Sequence, residues 1–128
     1  MDWLKKWNEA LDESEQNLEG TVDAEKLGRL AGCSAYHFQR MFSYLAGVPL
    51  SEYVRRRRMI RAAADLQNGE KVLYVALRYG YESPTAFNRA FQAVHGIPPS
   101  QAKQEGVKLK AFPRIHFKFV LKGAEEME

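Results

Sequence analysis

Apolar residues recur at helical spacing along most of the chain, and the pattern stops at short segments that contain glycine or proline. Spacings of three and four residues place such side chains on one face of an α-helix. The pattern therefore predicts an all-α fold. The four clearest stripes are Leu4, Trp7, Leu11 and Leu18; Phe38, Met41, Phe42 and Leu45; Met59, Ala62, Ala63 and Leu66; and Phe87, Ala90, Phe91 and Val94.

Residues that commonly begin or end helices separate these stripes. An N-cap side chain accepts a hydrogen bond from a backbone N–H of the first turn. The candidate N-caps are Asp23, Ser34, Ser51 and Ser83, and the candidate ends are Gly20, Gly32, Gly47 and Gly80. Gly28 lies inside the second predicted helix, where glycine is ~1 kcal/mol less favourable than alanine. We expect another helix to cross closely there.

One helical segment occurs twice. Residues 34–42 read Ser-Ala-Tyr-His-Phe-Gln-Arg-Met-Phe, and residues 83–91 read Ser-Pro-Thr-Ala-Phe-Asn-Arg-Ala-Phe. The offset between the copies is 48 residues at Gly32 and Gly80, and 49 residues beyond that turn. A shorter helix and a glycine turn precede each copy. A repeat this regular predicts two helix-turn-helix motifs.

The outward faces of both copies carry hydrogen-bonding side chains of the kinds that read base edges. They are Tyr36, Gln39, Arg40 and Ser43 in the first copy and Thr85, Asn88, Arg89 and Gln92 in the second. Arg40 is the first candidate for base readout, because a guanidinium can bond O6 and N7 of one guanine, for ~1–3 kcal/mol of discrimination. A phosphate contact is the alternative role for this side chain.

The net charge of +3 conceals an uneven distribution. Residues 1–25 hold eight acids and two bases, a net charge of −6, whereas residues 26–122 hold seventeen bases and five acids, a net charge of +12. The last six residues add three acids. A central region this basic favours a polyanionic partner such as nucleic acid. Arg55 through Arg58 and Arg61 point all round a predicted helix, so phosphate contacts, internal pairs and solvated side chains all remain open.

Several other protein classes are not indicated. No apolar run approaches the ~20 residues that cross a bilayer, and residues 1–7 do not resemble a signal peptide. Cys33 is the one cysteine, so a cytoplasmic location fits, and we expect it to be a small buried residue, with a redox switch as the alternative. The three histidines lack zinc-ligand spacing. Catalytic motifs are absent from the sequence, so we expect a non-enzymatic protein without cofactor, metal or membrane partner.

The character of the chain changes after residue 105. Residues 114–122 alternate, with Ile115, Phe117, Phe119 and Leu121 on one side. This period of two predicts a strand with one buried face. A single strand is not stable alone. The segment is therefore expected to be a short C-terminal strand or a disordered tail, and packing on the helices or pairing with another molecule remain open.

The two repeats together resemble the DNA-binding domain of the AraC/XylS family of bacterial transcription regulators. The most specific segments are residues 30–42, residues 75–91 and Gly-Ile-Pro-Pro-Ser at 96–100. The resemblance implies about seven helices in two helix-turn-helix subdomains. Its expected boundaries are residues 1–105 for the whole domain, about 1–50 for the first subdomain, about 51–67 for a linking helix, and about 70–105 for the second subdomain.

This resemblance implies a sequence-specific DNA-binding regulator that inserts two recognition helices, residues 34–45 and 83–94, into successive major-groove segments of double-stranded DNA. The family's base-facing positions correspond to Ala35, Tyr36, Gln39 and Arg40 in the first helix and to Pro84, Thr85, Asn88 and Arg89 in the second. Pro84 and Ala86 have no donor side chain. We therefore expect the second helix to grip the backbone or read DNA shape more than bases.

Residues 110–123 resemble the opening strand of a GyrI-like effector-binding domain. Residues 106–128 would then be a linker and the start of a truncated effector-binding domain, and a small-molecule effector would act only through the missing part. The family also suggests RNA polymerase as a candidate partner. Because one chain carries two recognition helices, we expect a monomer on an asymmetric site. The alternative function is a helix-turn-helix adaptor for a protein partner.

Overall fold

The computed structural model describes residues 2–103, 113–115 and 117, and these ranges contain seven helices and no strand. The predicted all-α fold is confirmed. The helices are α1 (Asp2–Gln16), α2 (Ala24–Ala31), α3 (Ala35–Ala46), α4 (Leu50–Gln67), α5 (Val72–Arg78), α6 (Pro84–His95) and α7 (Pro99–Ala102). The pairs α2–α3 and α5–α6 are the two repeated motifs, and α4 connects them.

The repeated helices begin in the same way. The Ser34 hydroxyl accepts from the His37 N–H at 3.1 Å, and the Ser83 hydroxyl accepts from the Ala86 N–H at 3.2 Å. Both predicted N-caps are thus confirmed. The prediction for Ser51 was wrong, because α4 begins one residue earlier, at Leu50, and has no side-chain cap. Ser51 therefore lies within the first turn of α4.

Two separate hydrophobic clusters hold the helices together, and α4 contributes to both. The first cluster surrounds Trp7 and Phe38, whose rings stack with centroids 4.5 Å apart. The second surrounds Phe87 and Phe91, whose centroids lie 5.8 Å apart. The beginning of α4 supplies Leu50, Tyr53 and Val54 to the first cluster, and its later turns supply Met59, Ala62, Ala63 and Leu66 to the second.

The buried stripe is narrower on α3 than on α6. Met41 and Leu45 belong to the same apolar stripe as Phe38 and Phe42, but their exposed fractions are 36% and 49%. The equivalent positions of α6 carry Ala90 and Val94, which are both buried. The physical reason is coverage: α6 packs along α4, α5 and α7, whereas α3 packs along α2 and α4.

Only part of the predicted C-terminal strand falls within the described residues. Ile115 and Phe117 pack against the first hydrophobic cluster, and neither has regular secondary structure. Phe119, Leu121 and the rest of residues 118–128 lie outside the described ranges. Of the arrangements left open by the sequence, packing on the helices is the one that residues 113–115 and 117 adopt.

Gly28 lies where the backbone leading into α3 passes very close to α2. A Cβ atom at Gly28 would stand 2.8 Å from the carbonyl carbon of Ser34 and 2.9 Å from the nitrogen of Ala35. These contacts are shorter than any packing contact that a side chain can accept. The expected close approach is confirmed, and the start of the next helix makes it.

Replacing Gly28 with alanine should therefore lower the free energy of unfolding by about 1–3 kcal/mol, the usual effect of overpacking. Helix propensity alone would predict a stabilisation of ~1 kcal/mol. The matched control is Gly20→Ala, because a Cβ there would meet nothing nearer than an oxygen at 4.0 Å. Urea denaturation measures both variants, and equal effects of the two substitutions would contradict the close approach.

Candidate nucleic-acid interface

The structure places all nine candidate DNA-contacting residues on the surface. Tyr36 is 70% exposed, and Gln39 and Arg40 beside it are also exposed. The remaining candidates are exposed or half-buried: Ala35 and Ser43 on α3, and Pro84, Thr85, Asn88 and Arg89 on α6. The members of each set recur mostly at spacings of three and four residues, which places them on one face of a helix that begins at a capping serine.

Arg40 is oriented by a neighbour on its own helix. Its Nη1 donates to the Tyr36 hydroxyl at 2.8 Å, one turn earlier. No carboxylate among the described residues pairs with this guanidinium, so its other N–H groups remain available for a bidentate acceptor such as guanine or phosphate. Sequence reasoning treated Tyr36 as a separate contact. The i, i+4 spacing of the two side chains was the signal for this pair.

A concave surface lies beside the exposed face of α3. Its volume is about 550 Å³, and it lies between the recognition face and the beginning of α4. The lining residues are Tyr36, Gln39, Arg40 and Ser43 from α3, with Pro49, Leu50 and Ser51. The first turn of α4 lacks a side-chain cap, and such N–H groups attract phosphate. The amino-acid pattern gave no indication that the first turn of α4 lies beside this face of α3.

The arginines of α4 have partners inside the protein. Two N–H groups of Arg57 donate to the two carboxylate oxygens of Glu15, each at 3.0 Å. Arg58 donates to the carbonyl oxygens of Leu18 at 2.9 Å and of Gly20 at 2.7 Å. Arg61 donates to the Glu15 carbonyl at 3.3 Å. These bonds, which we call the α1–α4 attachment, join the linking helix to the end of α1.

The other two arginines of the run remain on their own helix. Arg55 and Arg56 both contact Glu52, one turn earlier, at 2.7 Å and 3.1 Å. All five basic side chains of α4 therefore have an internal partner. The sequence left internal pairing open as an alternative to phosphate contact. The acidic α1 supplies one of the internal partners, Glu15.

Arg78 ties the second motif to the same region. It contacts Asp65 on α4 at 3.0 Å, Glu19 after α1 at 3.5 Å, and also Glu70. The carboxylates of Glu70 and Asp65 raise the pKa of Arg78. In contrast, neither Arg40 nor Arg89 forms an ion pair within the described ranges. The basic side chains left for an external anion thus include one on each recognition helix.

Other candidate chemistry is weak in this part of the chain. Cys33 was expected to be buried but is half-exposed, and burial of its thiol raises its pKa, which opposes a reactive thiolate. His95 is buried, with Nε2 3.0 Å from the Met59 carbonyl oxygen. Among the described residues no group of three metal-ligating side chains is found. None of the helices is long and apolar enough to span a membrane.

Residues 27–105 match a family of helix-turn-helix domains. The multiple antibiotic resistance protein MarA of Escherichia coli (strain K12) is 36% identical over 99 residues, which cover 77% of this chain and 78% of that protein. The HTH-type transcriptional activator AarP of Providencia stuartii is 38% identical over 87 residues, which cover 67% of this chain and 64% of that protein.

Solved structures share the fold. A transcriptional regulator of Chromobacterium violaceum with an AraC-type DNA-binding domain superposes with a TM-score of 0.71 at 24% identity, over 77% of this chain and 89% of that chain. The DNA-binding domain of AdpA, crystallised with a target DNA, superposes with a TM-score of 0.66 at 26% identity, over 76% of this chain and 88% of that chain.

The Glu15–Arg57 pair should make stability depend on pH. Burial alone would raise the pKa of Glu15, but the hydrogen bonds and charge of Arg57 hold it below its ordinary value of 4.5. The contribution of this pair to the free energy of unfolding is therefore complete above about pH 5 and is lost as the pH falls through the depressed pKa. Glu15→Gln should reduce the loss of unfolding free energy at acidic pH, measured by urea denaturation, whereas Glu9→Gln, at an exposed position of α1, should not. An equal loss of stability at acidic pH in both variants would contradict this role of the Glu15–Arg57 pair.

Proposed function

This chain belongs to the AraC family of helix-turn-helix regulators, and we propose that it binds double-stranded DNA with both recognition helices, α3 and α6. It is a sequence-specific DNA-binding transcription regulator. The observation that carries the proposal is the repeated motif. Each copy begins at a capping serine and exposes a polar face with an arginine that has no carboxylate partner in the described structure.

The two helices divide the work unequally in this proposal. On α3, Arg40 and Gln39 read base edges, Tyr36 orients Arg40, and Ala35 and Ser43 border the contact. On α6, Arg89, Asn88 and Thr85 hold the DNA backbone. Pro84 can contact the DNA surface but has no hydrogen-bond donor. The basis is chemical. Arg40 is oriented by Tyr36, and a guanidinium held in this way can bond two acceptors of one base, whereas Pro84 and Ala86 leave α6 with fewer donor side chains for base edges.

One chain then covers two major-groove segments, about one helical turn (~34 Å) apart. The α1–α4 attachment and the contacts of Arg78 hold α4 in a fixed orientation. With a rigid linking helix, the DNA must bend to meet α3 and α6 together, or α6 must bind loosely. We propose residues 1–105 as this working unit and residues 106–128 as the link to an effector-binding part.

A protein partner is a second candidate, and one observation favours it. α5 exposes Leu73, Tyr74 and Leu77 at 51%, 59% and 55%, an apolar face that nothing covers in the described structure. AarP is described as a transcriptional activator, so RNA polymerase is a candidate for such a contact.

Because the family consists of transcription regulators, we propose no catalytic role for this chain. Binding of duplex DNA that weakens steeply with salt would separate the DNA-binding function from a purely protein-binding adaptor.

Arg40→Ala should lower the affinity for a preferred duplex by roughly 5- to 150-fold, the equivalent of ~1–3 kcal/mol, and should leave non-specific affinity nearly unchanged. Arg89→Ala should weaken all duplexes alike and reduce the salt slope by about one. The preferred duplex comes from selection in a random pool, and affinities are measured by fluorescence anisotropy across salt concentrations. Lys5→Ala, an exposed position on α1, is the control. Equal losses on all sequences for Arg40→Ala would make Arg40 a phosphate contact.

The complex should contain one chain per duplex on an asymmetric site of roughly two helical turns. Two reading helices in one chain need no symmetric partner. Sedimentation of the protein with the preferred duplex measures the stoichiometry. A symmetric site occupied by two chains would overturn the monomeric arrangement.

A further inference from the structure

A short segment far along the chain is bound to the first motif through its backbone. The side chain of Asn8, on α1, pairs with both backbone groups of Phe117: its Nδ2 donates to the Phe117 carbonyl oxygen at 3.0 Å, and its Oδ1 accepts from the Phe117 N–H at 2.9 Å. The hydroxyl of Tyr53, on α4, accepts from the Ile115 N–H at 3.0 Å. The backbones of Ile115 and Phe117 are thus held by side chains from two different helices, α4 and α1.

The side chains of this segment complete the first hydrophobic cluster. The ring of Phe117 meets Trp7 and Phe42 edge-on, with centroids 6.4 Å and 6.5 Å away and interplanar angles of 72° and 71°. Edge-to-face contacts at this distance are favourable beyond simple burial. Phe42 lies on the inner side of α3, directly behind the proposed reading face. The segment therefore touches the recognition helix itself.

Among the described residues, the second motif has no equivalent site. The position that corresponds to Tyr53 is Ala102, which has no hydroxyl. The position that corresponds to Phe42 is Phe91, which packs on His95 of its own helix at a centroid distance of 4.5 Å. The arrangement therefore belongs to the first motif alone and is not a general feature of the repeat.

We propose that α1, α3 and α4 form a docking site for a peptide segment, that residues 113–115 and 117 of this chain are its occupant, and that docking holds α3 in place for DNA binding. Asn8 and Tyr53 recognise the peptide backbone, and the Trp7–Phe42 pair accepts an aromatic side chain. The exposed pair between Arg114 and Asp12 fixes the direction of the segment. Only the last part of the proposal rests on the proposed function.

The sign of one substitution tests the docking directly. Alanine is a better helix former than asparagine, so Asn8→Ala would stabilise α1 if Asn8 had no partner. If the segment is docked, Asn8→Ala should instead speed amide hydrogen exchange at Phe117 and in α3 by roughly tenfold. The amides of α6 provide an internal reference for global folding. Glu9→Ala, the exposed neighbour on α1, should leave α3 unchanged.

A double-mutant cycle separates docking from two independent effects. Asn8 binds the backbone of Phe117, whereas the Phe117 ring contacts other residues, so Asn8→Ala and Phe117→Ala remove different contacts of one docked unit. In the double variant, the α3 amides should exchange at a rate within about twofold of that in the faster single variant. Multiplied effects of the two substitutions would overturn the proposal. So would rapid exchange of the Phe117 amide in the unaltered protein, which would mean that the site awaits a different occupant.

Duplex binding tests the functional part separately. Phe117→Ala should lower the affinity for the preferred duplex by roughly fivefold or more, although Phe117 lies on the inner side of the first motif, because α3 must be re-ordered on binding. If the α3 amides of Phe117→Ala exchanged faster while its affinity for the duplex stayed the same, docking would not influence DNA binding. The docking itself would still be supported. If the unaltered protein binds no duplex, the proposed function fails, and the exchange results still decide the docking site.

Discussion

The position of the second motif depends on how the linking helix is attached to the end of α1. Arg57 spans both oxygens of Glu15, and Arg58 takes up two carbonyl oxygens just after α1. Two parallel bonds to a carboxylate fix direction as well as distance. Because α4 also supplies side chains to both hydrophobic clusters, this attachment connects the end of α1 to the helix that joins the two motifs. The acidic start of the chain thus has a structural role that its charge alone did not indicate.

Local signals in the sequence predicted most of the helices. Ser34 and Ser83 each act on residues three positions away, so a short window of sequence contains the whole interaction. The partners of Arg57, Arg58 and Arg61 could not be predicted in that way, since they lie 38 to 46 residues away. The exposure of Met41 and Leu45 had a similar cause, because it depends on which helices cover α3. The outward side of each recognition helix followed from periodicity, but the Tyr36–Arg40 bond and the neighbouring start of α4 required the structure.

The two motifs share a scaffold and differ in what surrounds it. Arg40 has a tyrosine one turn earlier, whereas Arg89 has Thr85 at that position. The inner side of α3 is covered by Phe117, whereas α6 is enclosed by α4, α5 and α7. The first recognition helix is therefore both the better equipped for base readout and the more dependent on a distant part of the chain. In the proposed division of roles, α3 reads the base sequence, so the contacts that order α3 would influence sequence readout more than those around α6.

Methylation interference on the preferred duplex tests whether both helices enter the major groove from one rigid chain. Dimethyl sulfate modifies guanine N7 in the major groove, and a methyl group there blocks an inserted helix. Two clusters of interfering guanines are expected, centred about 10 base pairs apart on one face of the duplex. A single cluster, with no interference one turn away, would contradict it.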